Sequence, residues 1–310
     1  MEKYDTIYIK LIMIPVLLGI SFLIFSIMSL TPGDPALNIL GKDATPESLQ
    51  LLREEMGLNE NFLTRYAKYM INAFRGNFGI SYTTKTPVFD EVFTRYPTTL
   101  KLSFFSVLFA VTLGIPIGIV SAIKRYSLAD SFSMTGALLL TSIPSFWLGL
   151  MLMLQLSLKH GWLPSTGFDS WKHYIMPCIT LGAADLAILL RITRSNMLEV
   201  IRQDYIRTAK AKGAGEVRLI FKHAFRNAML PIVTTIGLTF GSMLSGAIVV
   251  ESVFGIPGVG TMIINAIRAK DTPLVMASVL FFTVIIGLIN LLVDILYAFI
   301  DPRVASRYRG

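Results

Sequence analysis

The chain has 310 residues, 53% of them hydrophobic and only 15% charged, with a formal charge of +8 and a single cysteine, Cys178. A composition this apolar, with several runs near the length that spans hydrocarbon, marks an integral membrane protein. One cysteine excludes an intrachain disulfide and a Cys-based metal site, and in a membrane protein the positive charge is read first as topology rather than as a nucleic-acid signature.

The first apolar segment, Leu11 to Leu30, follows Lys3 and Lys10 and contains Pro15 and Gly19, both tolerated in membrane helices. It is expected to be a retained helix, because TPGDPA at Thr31 to Ala36 is a poor cleavage site. A polar segment to Pro97 follows. Thr45-Pro46 is expected to cap a helix that stops before Gly57. Phe62, Tyr66, Tyr69, Met70, Ala73 and Phe74 mark an amphipathic helix ended by Gly76, and Val88 to Arg95 a third short helix leading to Pro97. This segment is either a platform for a soluble partner or a lid that packs on the ends of the membrane helices.

Five more membrane helices are expected, near Leu100 to Ile123, Phe132 to Leu158, Tyr174 to Leu190, Leu230 to Val250 and Leu274 to Ile300. The second and third are joined by the basic turn KRYSLAD at Lys124 to Asp130, and Trp162 and Trp171 suit a membrane interface before the fourth. Lys and Arg divide 16 against 12 between alternate sides, with nine of the 16 between Arg191 and Arg226. That asymmetry puts both termini, the KRYSLAD turn and the Arg191 to Arg226 region on the cytoplasmic side, and the Thr31 to Pro97 segment outside.

Between the fourth and fifth helices lies DYIRTAKAKGAGEVRLIFKHAFRNAMLP, from Asp204 to Pro231. Tyr205 to Lys212 contains good helix formers followed by Gly213, which either ends a helix or lets another backbone come close. Val217, Ile220, Phe221, Ala224, Phe225 and Ala228 fall at helical spacing with Arg218, Lys222 and Arg226 opposite, an amphipathic helix with a basic back. Such a segment either lies on lipid head groups or engages a partner.

No GxxxxGK[ST] phosphate loop occurs, so this chain has no ATP site of its own, and His160, His173 and His223 show no metal-ligand or catalytic spacing. An enzyme active site is not expected. Two acids lie within apolar helices: Asp185 either meets the cationic end of a passing substrate or hydrogen-bonds a neighbouring helix, and Asp294 is expected to cap or pair near Arg303. Glu251, at the outer end of the fifth helix, is a candidate for lining the external mouth. Gly237, Gly241 and Ser245 form a small-residue stripe for helix packing, within the chain or against a second subunit; at Gly114 and Gly118, Pro116 leaves a kink and a contact equally open.

LTPGDPA at Leu30 to Ala36, TRSNMLEV at Thr193 to Val200, DYIRTAKAKGA at Asp204 to Ala214, HAFRNAMLP at His223 to Pro231, VESVFGIPGVG at Val250 to Gly260 and NLLVDILYAFIDPR at Asn290 to Arg303 together resemble the membrane permeases of binding-protein-dependent ABC importers, the dipeptide, oligopeptide and nickel class. The resemblance covers nearly the whole chain. It implies an all-α polytopic protein of six transmembrane helices in the type I importer permease fold: residues 1–30 the cytoplasmic N-terminus and first helix, 31–97 an external helical segment, and 98–310 the permease core with a cytoplasmic coupling loop at 195–229. It further implies import of di- or oligopeptides, with a nickel chelate or glutathione as alternatives, by alternating access in a prokaryotic inner membrane. A second permease subunit, two ATPase subunits that bind ATP and magnesium, and an external substrate-binding protein would complete the complex, with no cofactor in this chain. A proton-coupled secondary transporter is the rival of another class.

The coupling residues implied by the resemblance are Asp204, Tyr205, Ile206, Arg207, Ala209, Ala211, Gly213, Ala214, Leu230 and Pro231. Tyr205, Ile206 and Ala209 would be buried against the ATPase, Arg207, Lys210 and Lys212 would form the rim, and Val217 to Ala228 would pack back on the membrane helices. Thr208 stands where the general importer pattern has Glu, and the interval from Gly213 to Leu230-Pro231 is longer than in that pattern.

Overall fold

The computed structural model describes residues 2–41 and 44–300, with side chains described from 15 to 292 outside that gap. It is helical, with a lone antiparallel bridge between Ile80 and Pro87 the sole β pairing among the described residues. The chain divides into two compact units, Met1–Thr99 with Pro257–Gly287, and Leu100–Ile256 with Leu288–Gly310. Residues 257–287, part of the expected core over 98–310, cluster with the N-terminal residues.

The first unit holds α1 (Glu2–Leu30), α2 (Pro35–Leu40), α3 (Pro46–Glu55), α4 (Phe62–Phe74) and α12 (Val259–Ala269). Thr45 accepts the Ser48 amide and Pro46 opens α3, as the cap pattern requires. Phe62 and Tyr66 of the α4 stripe pack on α1: Tyr66 shares a 2.8 Å hydrogen bond with Ser21, and the Phe22 and Phe25 rings meet Phe62 and Tyr66, while Phe74 is exposed. Burial pushes the Tyr69 phenol up from its ordinary pKa, with the neighbouring Tyr82 adding to the shift, and the buried Tyr69 hydroxyl has no hydrogen-bond partner among the described residues.

The LTPGDPA stretch finds its reason here. Gly33 adopts φ +120°, and a Cβ at this position would meet the Lys270 side chain at 3.0 Å. Lys270 is itself left-handed at the C-terminus of α12, and its buried ammonium donates to the carbonyls of Thr31 and Gly33. Asp34 caps α2 through the Ala36 amide and pairs with Arg53. Next to Lys270, the fully buried Asp271 accepts from Ser81 Oγ at 2.5 Å and the Thr83 amide at 3.0 Å, and caps the helix that follows through Leu274. Polar side chains thereby satisfy buried backbone groups that the irregular segments cannot pair among themselves.

Two helices contribute residues to both units. α5 (Val88–Ile123) is unbroken, so the expected short helix at Val88 to Arg95 and the membrane helix after Pro97 are one element of 36 residues, about 54 Å long. Both Pro97 and Pro116 are accommodated within it, as apolar membrane-type helices allow. α13 (Thr272–Ile300) is the second.

In the second unit lie α6 (Leu128–Ser142), α7 (Ser145–Leu152), α8 (Lys172–Ile201), α9 (Asp204–Ala211), α10 (Glu216–Arg218) and α11 (Arg226–Phe254). The third membrane helix, expected to be continuous from Phe132 to Leu158, is instead α6 and α7 bent by 102°, with α7 running on as a π-helix to Lys159. Pro144 is the cause: it lacks an N–H, and it holds Ile143 extended at ψ 123°.

α8 is central to this unit, with α6, α7 and α11 packed on it. Leu102, Met176, Leu189, Met197, Ala224, Ile232, Met243 and Phe254 form the heart of its core. α5 and α8 approach backbone to backbone. A Cβ on Gly114 would lie 2.8 Å from the Leu186 carbonyl oxygen, one on Gly118 2.7 Å from that of Leu190, and one on Gly182 2.7 Å from that of Ser106. At Gly114 and Gly118 the outcome is therefore a contact, not a kink.

By length and composition four described helices can each cross a membrane, and the bent α6–α7 pair is a fifth if it is one broken span. The expected six is reached only by adding α1, whose described apolar part, Pro15–Leu30, is shorter.

Candidate functional site

α8 ends at Ile201 and, after Arg202 and an extended Gln203, the chain enters α9. The eight residues of α9 carry their own stop signal. Gly213 has φ +82°, its amide donates to the Lys210 carbonyl, and the Ala214 amide reaches back to Ala209 at 3.2 Å. That pair of bonds closes the helix with a left-handed residue, which glycine adopts without a Cβ penalty. Among the described residues nothing lies within 4 Å of a Cβ built on Gly213. Of its two expected roles, ending the helix is the one visible within the chain, and the space beside it is open.

α9 has one inward residue. Ile206 is 4% exposed and joins the buried cluster of Met197, Ala224, Ala228 and Ile232. This corrects the expected outer face of Tyr205, Ile206 and Ala209: a helix this short turns a single hydrophobic residue into the core, and Ile206 takes that place. Ala209 and Ala214 are half-buried, while Tyr205 (43% exposed), Asp204, Arg207, Thr208 and Ala211 face outward. Arg207 pairs with Asp204 at 3.6 Å on the exposed surface, a contact worth little by itself.

The second half of the loop is not a separate surface helix. α10, a π-helical turn over Leu219–Phe225 and α11 form a continuous 39-residue helix, Glu216–Phe254. Leu230 and Pro231 therefore sit inside a helix rather than at its entrance. Its first turns only partly pack back: Ala224 and Ala228 are buried, but Val217 is 72% and Phe221 56% exposed. Helical spacing alone assigns the whole stripe to packing and misses these two outward apolar residues, close in sequence to α9. Their signal is that the stripe is longer than the core available to cover it. π-helical turns are uncommon and recur at functional sites, which fits the position of this one.

The intramembrane acids separate. Asp185 on α8 is half-buried, and no hydrogen bond or ion pair holds it among the described residues, so of its two expected roles the interhelical hydrogen bond is not seen there. Glu251 is fully buried, and its carbonyl accepts from the Gly255 and Ile256 amides where α11 ends. An enclosed carboxylate at a helix terminus does not line a mouth on this chain's surface. The side chain of Asp294 lies outside the described residues. Gly237 and Gly241 are buried and Ser245 is exposed, so the stripe serves packing within the chain over its first two members. His160 Nδ1 lies 2.7 Å from the Gln155 carbonyl beside Trp162, and His173 Nδ1 lies 2.9 Å from Ser170 Oγ.

Comparison with known proteins accords with this architecture. The family described as binding-protein-dependent transport system inner membrane component matches residues 114–306, and the N-terminal membrane component of the same systems matches residues 7–103. The glutathione transport system permease protein GsiC of Escherichia coli strain K12 is 43% identical over 297 residues, covering 96% of each chain. The protein of the same name from Shigella flexneri serotype 5b, strain 8401, has the same identity and coverage. Among solved structures, an inward-facing MetNI methionine ABC transporter aligns with a TM-score of 0.59 at 18% identity, covering 69% of this chain and 98% of that one. An amino acid ABC transporter with histidines aligns with a TM-score of 0.52 at 16% identity, covering 67% and 93%. At such identities the likeness to these two structures is one of fold.

Proposed function

The chain belongs to the inner membrane components of binding-protein-dependent transport systems, as a permease of the dipeptide, oligopeptide and nickel class of ABC importers, and we propose that it imports short peptides, with glutathione as the first substrate to test. The single observation that carries the substrate is the 43% identity, over 96% of both chains, to a glutathione permease. Glutathione is itself a tripeptide, so this substrate lies within the peptide class rather than outside it.

In this reading α9 is the coupling element. Its outward residues Asp204, Tyr205, Arg207, Thr208 and Ala211, together with Val217 and Phe221, meet an ATPase subunit on the cytoplasmic side. Ile206 links that surface to the chain's own core. Tyr205, Val217 and Phe221 supply apolar anchors, and Arg207 and Lys212 a charged rim, the composition that recognition surfaces favour. ATP and magnesium are held by the partner subunits. A second permease chain, two ATPase subunits and an external binding protein complete the assembly, with both termini cytoplasmic. Asp185, half-buried and without a partner among the described residues, is the candidate pathway acid for the cationic amino end of a peptide.

Reconstitution with the partner subunits in vesicles tests this directly. ATP-driven uptake of labelled glutathione, abolished without the binding protein, is expected. Uptake driven by a proton gradient without ATP would remove the importer reading, and ATP-driven uptake of another peptide but not glutathione would move the substrate within the class.

A further inference from the structure

Asp130, in the first turn of α6, is a buried carboxylate with four donors aimed at it. Its Oδ1 accepts from Arg194 Nε at 2.6 Å and from Ser121 Oγ at 2.5 Å. Its Oδ2 accepts from Arg194 Nη2 at 2.8 Å and from the Tyr126 amide at 2.9 Å. The donors come from α5, from the turn after it and from α8, so one side chain ties three helices together. The turn is held at some cost, since Tyr126 is left-handed at φ +65° with the Arg125 guanidinium 4.2 Å over its ring.

The clamp lies on the route from the coupling element into the membrane helices. Arg194 is about two turns before the end of α8, roughly 10 Å along the axis, and α9 starts just beyond. Ile206 of α9 shares its buried cluster with Met197, one turn beyond Arg194. On the other side, Gly118 of α5 abuts the Leu190 carbonyl and the Thr193 side chain, so α5 is seated tightly on α8 beside the ion pair. An apolar contact between α6 and α8 could slide by small increments. A forked guanidinium–carboxylate pair with its carboxylate buried and its guanidinium partly buried has one productive geometry, and removing Arg194 strands the buried charge of Asp130.

We propose that Asp130 and Arg194 are positioning residues that make α5, α6 and α8 move as one body with α9, so that force delivered at the coupling element reaches the bent α6–α7 segment. The proposal rests on the ABC importer function. If Arg194 loses Asp130, α8 still follows α9 through Ile206 and Met197, but α6 no longer follows α8. ATP hydrolysis then continues while transport lags, a consequence that simple loss of folding would not produce.

The test uses the complete transporter in lipid vesicles, with reduced glutathione uptake and ATP hydrolysis measured on the same preparation. Asp130→Asn keeps the shape and removes the charge, and it is expected to lower glutathione taken up per ATP by about tenfold, within the usual range for coupling between sites. Arg194→Lys keeps the charge but loses the fork, and it is expected to lower the same ratio by less. Should one variant fail to assemble with the ATPases, the other decides. A ratio equal to that of the unaltered protein, including uptake and hydrolysis that fall together, would overturn the clamp. Absence of any ATP-driven uptake in the unaltered protein would instead overturn the importer reading, and the clamp with it.

Discussion

Tyr205 and Ile206 are neighbours in the sequence with opposite duties in the structure. Ile206→Ala removes a buried side chain from the core and is expected to cost about 2–5 kcal/mol, read as a lower midpoint of thermal unfolding in detergent. Tyr205→Ala is expected to leave that midpoint unchanged and to reduce co-purification of the ATPase. A fall in stability for Tyr205→Ala, or none for Ile206→Ala, would mean that the faces of α9 are misassigned. Gly213→Val places a β-branched residue in a left-handed position and is expected to destabilise the end of α9 by about 1–2 kcal/mol. Uptake and ATPase association should be lost while membrane insertion persists; unchanged association would mean that α9 does not make the contact. Gly213 was legible as a special position, because a glycine directly after a run of helix formers supplies the left-handed residue that closes a helix. Which neighbour of Tyr205 turns inward was not legible, because helical spacing places both beside apolar residues and only the packed core selects one.

At the scale of elements, the contact between α5 and α8 permits a sharp test. Gly118→Ala would put a Cβ 2.7 Å from a backbone oxygen, which can yield only if the two helices part. A loss of about 1–3 kcal/mol in stability is expected, larger than for Gly136→Ala in α6, where a Cβ meets open space. Equal effects at the two positions would contradict the close approach. Apolar runs and capping residues located most helices, including α3 with its Thr45 cap, because capping and hydrophobicity act over a few residues. The failures were at joints. α5 continues through Pro97, and the segment from Glu216 joins α11 without a break, whereas the third membrane helix breaks at Pro144. Proline permits a kink without requiring one, so surrounding packing determines whether the axis bends.

For the whole molecule the behaviour to test is ATP-dependent transport, as the proposed function requires. Asp185→Asn is expected to lower uptake of peptides with a cationic amino end several-fold while leaving ATPase association intact; equal uptake by the variant would remove Asp185 from the pathway. Membrane class, the absence of a phosphate loop and membership of the importer permeases follow from sequence alone, because hydrophobic length, charge asymmetry and motif chemistry are written along the chain. It took the folded chain to establish that Ile206 belongs to the core, that Val217 and Phe221 stand outside it, that Asp185 has no hydrogen-bond or ion-pair partner among the described residues, and that Asp130 and Arg194 meet across 64 positions of sequence. Burial and pairing are properties of the residues brought together from distant segments, and the local pattern around each one does not specify its eventual neighbours.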